Sequence, residues 1–137
     1  MVSPEEIKIT ENFLKSYLLN QKLLRLDRYE REFFGAAGSE AEGMPETRLA
    51  RPRMYDVRHF IMSMPNSDEK LLLYYHYVRG QSVEKCADLF GISRSSAFRK
   101  KKAALVLAAE KYVAERGTAS KFTVNTQSVN TRENQVV

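Results

Sequence analysis

One stretch constrains this chain more than any other. From Ser82 to Leu105 it reads Ser-Val-Glu-Lys-Cys-Ala-Asp-Leu-Phe-Gly-Ile-Ser-Arg-Ser-Ser-Ala-Phe-Arg-Lys-Lys-Lys-Ala-Ala-Leu. Ser82 is a good helix N-cap, because its hydroxyl accepts from the amides of the first turn. Glu84 then complements the positive end of the helix dipole. A short helix follows, with Val83, Cys86, Ala87 and Phe90 on one face. Gly91 ends it, since a chain reversing after a helix usually needs a left-handed residue. Ile92 is an apolar pin in the turn. Ser93 caps a second helix, which carries Arg94, Arg99, Lys100, Lys101 and Lys102.

The spacing predicts how the two helices meet. Ala87 lies four residues before Gly91, where a small side chain lets the second helix cross closely, and Phe90 and Ile92 flank the turn as core. This is the helix-turn-helix layout, whose second helix enters a DNA major groove with its N-terminal residues at the base edges. A helical hairpin that touches no DNA shares the layout. The basic load on the second helix favours DNA.

Charge distribution points the same way. The 137 residues carry a formal charge of +5. Residues 1–64 hold 10 Lys/Arg against 10 Asp/Glu, so the whole excess lies in residues 65–137, around the basic helix. Such asymmetry fits a polyanionic partner. The single cysteine, Cys86, excludes an intramolecular disulfide and fits a reducing compartment as a buried small hydrophobe. His59 and His76 lack metal-ligand spacing, and no cofactor motif is present. No apolar run reaches membrane-span length, because Leu71 to Val78 is interrupted by His76. The N-terminus, Met-Val-Ser-Pro-Glu-Glu, does not read as a signal peptide. A cytoplasmic protein with no membrane partner is expected.

Ser3 before Pro4-Glu5-Glu6 is a strong helix start. The pattern predicts a long N-terminal helix within residues 1–34, ending at Phe33 or Phe34. Leu19, Leu26 and Phe33 recur at seven with Leu23 between them, as in a coiled-coil seam. Packing against the C-terminal domain and self-association as a homo-oligomer both remain open for this helix. Residues 35–54 read as a linker loop, opened by Gly35-Ala-Ala-Gly38 and running through Pro45 and Pro52. Arg48, Arg51 and Arg53 fall inside it, within reach of phosphate, although a solvated linker is the simpler reading. Residues 55–116 form the expected helix-turn-helix domain. It starts with a helix from Asp56 to Met64 that turns Val57, Phe60, Ile61 and Met64 inward. After Pro65, a helix capped by Ser67-Asp68-Glu69 runs to Val78 or Arg79, with Leu71, Leu72, Tyr75 and Val78 facing the core. The second motif helix extends from Arg94 to about Ala114, with Ala97, Ala104, Leu105, Ala108 and Tyr112 inward. Residues 117–137 read as a flexible tail. The fold class is therefore all-α.

From Met64 the chain reads Met-Pro-Asn-Ser-Asp-Glu-Lys-Leu-Leu-Leu-Tyr-Tyr-His-Tyr-Val-Arg-Gly-Gln-Ser-Val-Glu-Lys-Cys-Ala-Asp-Leu-Phe-Gly-Ile-Ser-Arg-Ser-Ser. This resembles region 4 of bacterial sigma factors: a support helix, Arg-Gly, a capped short helix, then Gly-Ile-Ser-Arg. The continuation, Arg99-Lys-Lys-Lys-Ala-Ala-Leu, is similar to sigma-like phage transcriptional regulators of the ArpU type. The resemblance covers about residues 64–110 and implies a bacterial or phage transcription regulator bound to promoter DNA. It implies that Ser93, Arg94, Ser95, Ser96, Phe98, Arg99 and Lys102 face DNA, and that Gln81 and Ser82 meet the phosphate backbone. Two positions depart from the pattern. Ala97 and Lys100 stand where a large branched apolar residue is usual, and Lys100 is expected to snorkel past its stem.

On this reading Arg94 and Arg99 are the candidates for bidentate recognition of guanine, while Lys101 and Lys102 neutralise phosphate. The partner is double-stranded DNA, with RNA polymerase as a further partner that the resemblance raises. Three alternatives stand beside it. One is a small-terminase-like DNA-packaging subunit. Another is a polymerase-binding module using Tyr74, Tyr77 and the N-terminal helix. The third is a recombinase, disfavoured because the N-terminal 60 residues are too short and too helical for a catalytic domain.

Overall fold

The computed structural model describes residues 1–34 and 47–117, and they are all-helical. The elements are α1 (Pro4–Phe33), α2 (Ala50–Met62), α3 (Asp68–Leu73), α4 (Val83–Phe90) and α5 (Arg94–Arg116). A π-helical turn over Tyr74–Val78 continues α3. The expected tail and most of the expected linker lie outside the described residues. Among the described residues no helix is long and apolar enough to cross a membrane.

The chain divides into two compact units. The first joins residues 1–11 to residues 105–117. Its helix start is a reciprocal capping box: Glu6 N–H donates to Ser3 Oγ at 3.1 Å, and Ser3 N–H donates to Glu6 Oε1 at 2.8 Å. Two of the orphan amides that open any helix are thereby satisfied. Thr10, Leu105, Ala108 and Ala109 are buried, so the alanine-rich face foreseen for the last helix is an inward one.

The second unit, Asn12–Ala104, holds most of α1, all of α2 to α4 and the first turns of α5. This unit contains residues of the N-terminal helix together with the helices that follow it. Leu14 and Tyr17 are buried, and the Phe13 and Phe60 rings meet edge to face at 5.3 Å. Each large apolar side chain removed from water contributes roughly 1.5–3 kcal/mol, which holds α1 in the domain core. Val57, Phe60, Ile61 and Met64 are all buried, as their spacing predicts.

Two corrections concern boundaries and phase. Residues 50–54 belong to α2 rather than to a loop. Pro52 is the third residue of that helix, where its missing amide breaks no intrahelical bond, so it does not delay the start. The core face of α3 also differs. Leu72, Leu73, Tyr77 and Val78 are buried, whereas Leu71 is 47% exposed and Tyr75 is only half-buried. The π-helical turn explains the part after Leu73, where Tyr77 rather than Tyr75 is buried. Arg79 N–H donates to Tyr74 O across five residues, which adds a residue to the turn and rotates the following positions. A uniform 3.6-residue period cannot register that shift. Because Tyr77 is buried, it is withdrawn from the partner-facing set to which it had been assigned.

Lys70 fixes the corner before α3. Its ammonium donates to Met62 O at 2.9 Å, Met64 O at 3.1 Å and Asn66 Oδ1 at 3.0 Å. A cation with three donors is well matched to the carbonyl end of α2.

Candidate nucleic-acid interface

The start of α4 is built locally. Ser82 has extended backbone angles, and its Oγ accepts the Lys85 N–H at 3.1 Å. That use of the oxygen leaves the Ser82 O–H as a donor on an exposed residue. The preceding turn is held from the support helix. His76 Nδ1 lies 2.7 Å from Gln81 O. A carbonyl only accepts, so Nδ1 carries the hydrogen and donates it. Gln81 N–H donates to Tyr75 O at 2.9 Å. Gln81 is half-buried, and its residue helps line a shallow groove of about 450 Å³ together with Arg79 and Lys85. The sequence reading missed those two cations. Their positions, six residues apart on either side of Gln81-Ser82, were the available signal.

Gly91 closes α4 with φ 68° and ψ 36°. Ile92 N–H donates to Ala87 O at 3.0 Å and Gly91 N–H to Asp88 O at 3.3 Å. Together these form the paired carbonyl bonds of a Schellman ending. Val83, Ala87 and Ala97 make one buried cluster against which Ile92 packs. The small residue expected at position 87 therefore does meet the next helix, and it meets another alanine. Phe90 and Ile92 are half-buried rather than deep in the core.

Ser93 opens α5. Its Oγ accepts the Ser96 N–H at 3.1 Å and lies 3.0 Å from Ser96 Oγ. Arg99 Nη2 donates to the same Ser96 oxygen at 3.1 Å. The chain of bonds presets the direction of the Arg99 side chain while using one of its five donors. Ser93, Arg94, Ser95, Phe98, Arg99 and Lys102 are exposed, whereas Ala97 and Ala104 are fully buried. At about 100° per residue, Arg94, Ser95, Phe98, Arg99 and Lys102 fall within an arc of about 140°, with Ala97 and Ala104 on the other side. Ser96 is half-buried. Lys101 sits at the edge of the arc, half-buried and engaged within the protein. Lys100 points inward along its stem and places its ammonium 3.7 Å from Asp68 Oδ2. One side of α5 thus presents three cations and an aromatic ring to solvent, on a helix with no acid in its first turn.

Cys86 is fully buried, and burial pushes its thiol pKa up, away from nucleophilic chemistry. No family model, curated protein or solved structure matches this chain.

Proposed function

We propose that this chain is a sequence-specific DNA-binding transcriptional regulator of the sigma-region-4-like helix-turn-helix type, acting in a bacterial or phage cytoplasm. The observation that carries the reading is the exposed arc of α5. Arg94, Ser95, Phe98, Arg99 and Lys102 project from one side of a helix whose other side is anchored by alanines. A major groove about 12 Å wide admits one α-helix with its side chains reaching the base edges. In this reading Arg94 and Arg99 each take a guanine bidentately, and Phe98 supplies apolar contact to a thymine methyl. Lys102 and Lys101 sit over phosphate. Gln81 and Ser82, joined by Arg79 and Lys85, hold the adjoining backbone.

The exposed side of α1 supports a homodimer, which would double the DNA site. Leu19, Leu26 and Phe33 are 59%, 52% and 62% exposed, and Tyr29 lies on the same stripe at 54%. With Lys22, these occupy alternating seam positions of a heptad. A parallel second copy in register would place Arg25 against Glu30 of the partner subunit, an attractive flanking pair.

The test is anisotropy binding to a pool of genomic fragments across a salt series, with sequencing of the bound fraction. One enriched site, with affinity falling as salt rises, is expected. Arg94→Ala and Arg99→Ala should each cost about 1–3 kcal/mol at one base position. Unchanged affinity and unchanged preference in both variants would sink the reading. Uniform salt-sensitive binding would instead select a packaging role, and co-purification with RNA polymerase without DNA affinity would select the interaction module.

A further inference from the structure

A second concentration of positive charge lies away from α5, within the Asn12–Ala104 unit. Arg25, Arg28 and Arg31 of α1 converge with Arg48 and Arg51 at the start of α2 around an open cavity of about 490 Å³. The residues lining it include these five arginines and one acid, Asp27. That carboxylate already pairs with Arg31 at 3.2 Å. Gathering like charges in this way carries a repulsion that an anion would relieve.

The adjoining helix end adds an independent observation. Among the described helices, α1, α3 and α4 each carry acids in the first turn: Glu5 and Glu6, Asp68 and Glu69, and Glu84. α2 has none, and its N-cap residue, Leu49, makes no side-chain cap. Arginines occupy positions 51 and 53 there instead, against the positive end of the helix dipole. Within the cavity lining, the acid that shares this end with the arginines is Asp27 of α1.

We propose that this arginine basin is a binding site for the phosphate groups of a polyanion. Guanidinium forks match phosphate oxygens in pairs. The size fits a run of phosphates rather than a single ion. At roughly 30 Å³ per water molecule, the cavity equals the volume of on the order of fifteen waters. The phosphates belong either to a DNA backbone or to a free polyphosphate chain. The proposal does not rest on DNA reading by α5, because its primary test contains no DNA.

Calorimetric titration of the full chain with inorganic tripolyphosphate tests it. Saturable binding is expected. Arg28→Gln/Arg48→Gln/Arg51→Gln, chosen away from the apolar stripe of α1, should weaken it at least tenfold, with folding checked by circular dichroism. Should the triple variant fail to fold, Arg28→Gln and Arg48→Gln measured singly replace it, each with a several-fold loss expected. Lys8→Gln/Lys15→Gln, at two exposed cations outside both surfaces, should bind tripolyphosphate as the parent does. Absence of saturable binding, or equal binding by the basin variants and the parent, overturns the proposal. Where binding is lost as expected, a parallel salt series with duplex DNA identifies the source. A slope of log affinity against log salt shallower by about 2–3 assigns the phosphates to DNA, at roughly 0.9 per phosphate contact. An unchanged slope assigns them to a free polyphosphate.

Discussion

Replacing Gly91 with alanine isolates the backbone energy of the turn between α4 and α5. Gly91 sits at φ 68°, and a methyl group built there meets nothing within 4 Å. No steric overlap therefore contributes, and the cost is that of holding an L-residue in the left-handed region, about 1–2 kcal/mol. Alanine also has fewer unfolded conformations to lose, which offsets about 0.4–1 kcal/mol. A net destabilisation of about 1 kcal/mol is expected, or roughly 4–8 °C in Tm for a domain of this size. Gly91→Asn should lose less, because asparagine tolerates the left-handed region. Gly80 is an internal comparison. Its φ is 74°, and the new methyl would touch Leu18 Cδ1 at 3.7 Å, an ordinary contact. Gly80→Ala should therefore cost no more than Gly91→Ala. Urea denaturation followed by circular dichroism measures all three. A neutral Gly91→Ala, or an asparagine variant less stable than the alanine one, would refute the assignment of the cost to backbone conformation. A loss above about 3 kcal/mol would also refute it, since that exceeds the left-handed term.

Ser82→Ala and Ser93→Ala should each destabilise by about 1 kcal/mol in the same assay, through loss of the cap bonds to Lys85 and Ser96. Burial holds the proton on Cys86 more tightly in the folded chain than in the unfolded one. Its contribution is therefore intact below the unfolded thiol pKa, about 8.5, and is lost as pH rises beyond it. Native protein should react slowly with a disulfide reagent, and Cys86→Ala should flatten the onset of the alkaline loss of stability. Leu26→Asp places a charge in the exposed stripe of α1. Light scattering after size exclusion should show a dimer for the parent and a monomer for the variant, and a monomeric parent would remove the dimer from the proposal.

Much of the α4–α5 region was legible because its signals are short-range. Ser82, Gly91 and Ser93 act through bonds that span five residues or fewer, so residue type and spacing were enough to place both caps and the turn. The small residue at Ala87 was readable from its distance to Gly91. Arg94, Ser95, Phe98, Arg99 and Lys102 were assigned one role through resemblance, and the helix carries them on a common exposed arc. Among the four consecutive basic residues the string alone did not say which turned inward. Packing of α5 through Ala97 fixes its rotation, and this leaves Lys100 beside Asp68.

The chain by itself determined the starts of α1, α3, α4 and α5 and the turn at Gly91, since capping and left-handed glycine are properties of adjacent residues, whereas Pro52 did not mark the start of α2. The tertiary structure decided what distant segments do together. It brought α1 into the domain through Leu14, Tyr17 and Phe13, and it shifted the buried face after α3 by one extra residue in a helical turn. It also joined Arg25, Arg28 and Arg31 to Arg48 and Arg51 around one cavity. The physical reason is range. A cap is closed within one helical turn, whereas burial and the summed field of separated charges exist only after chain segments far apart in sequence have packed.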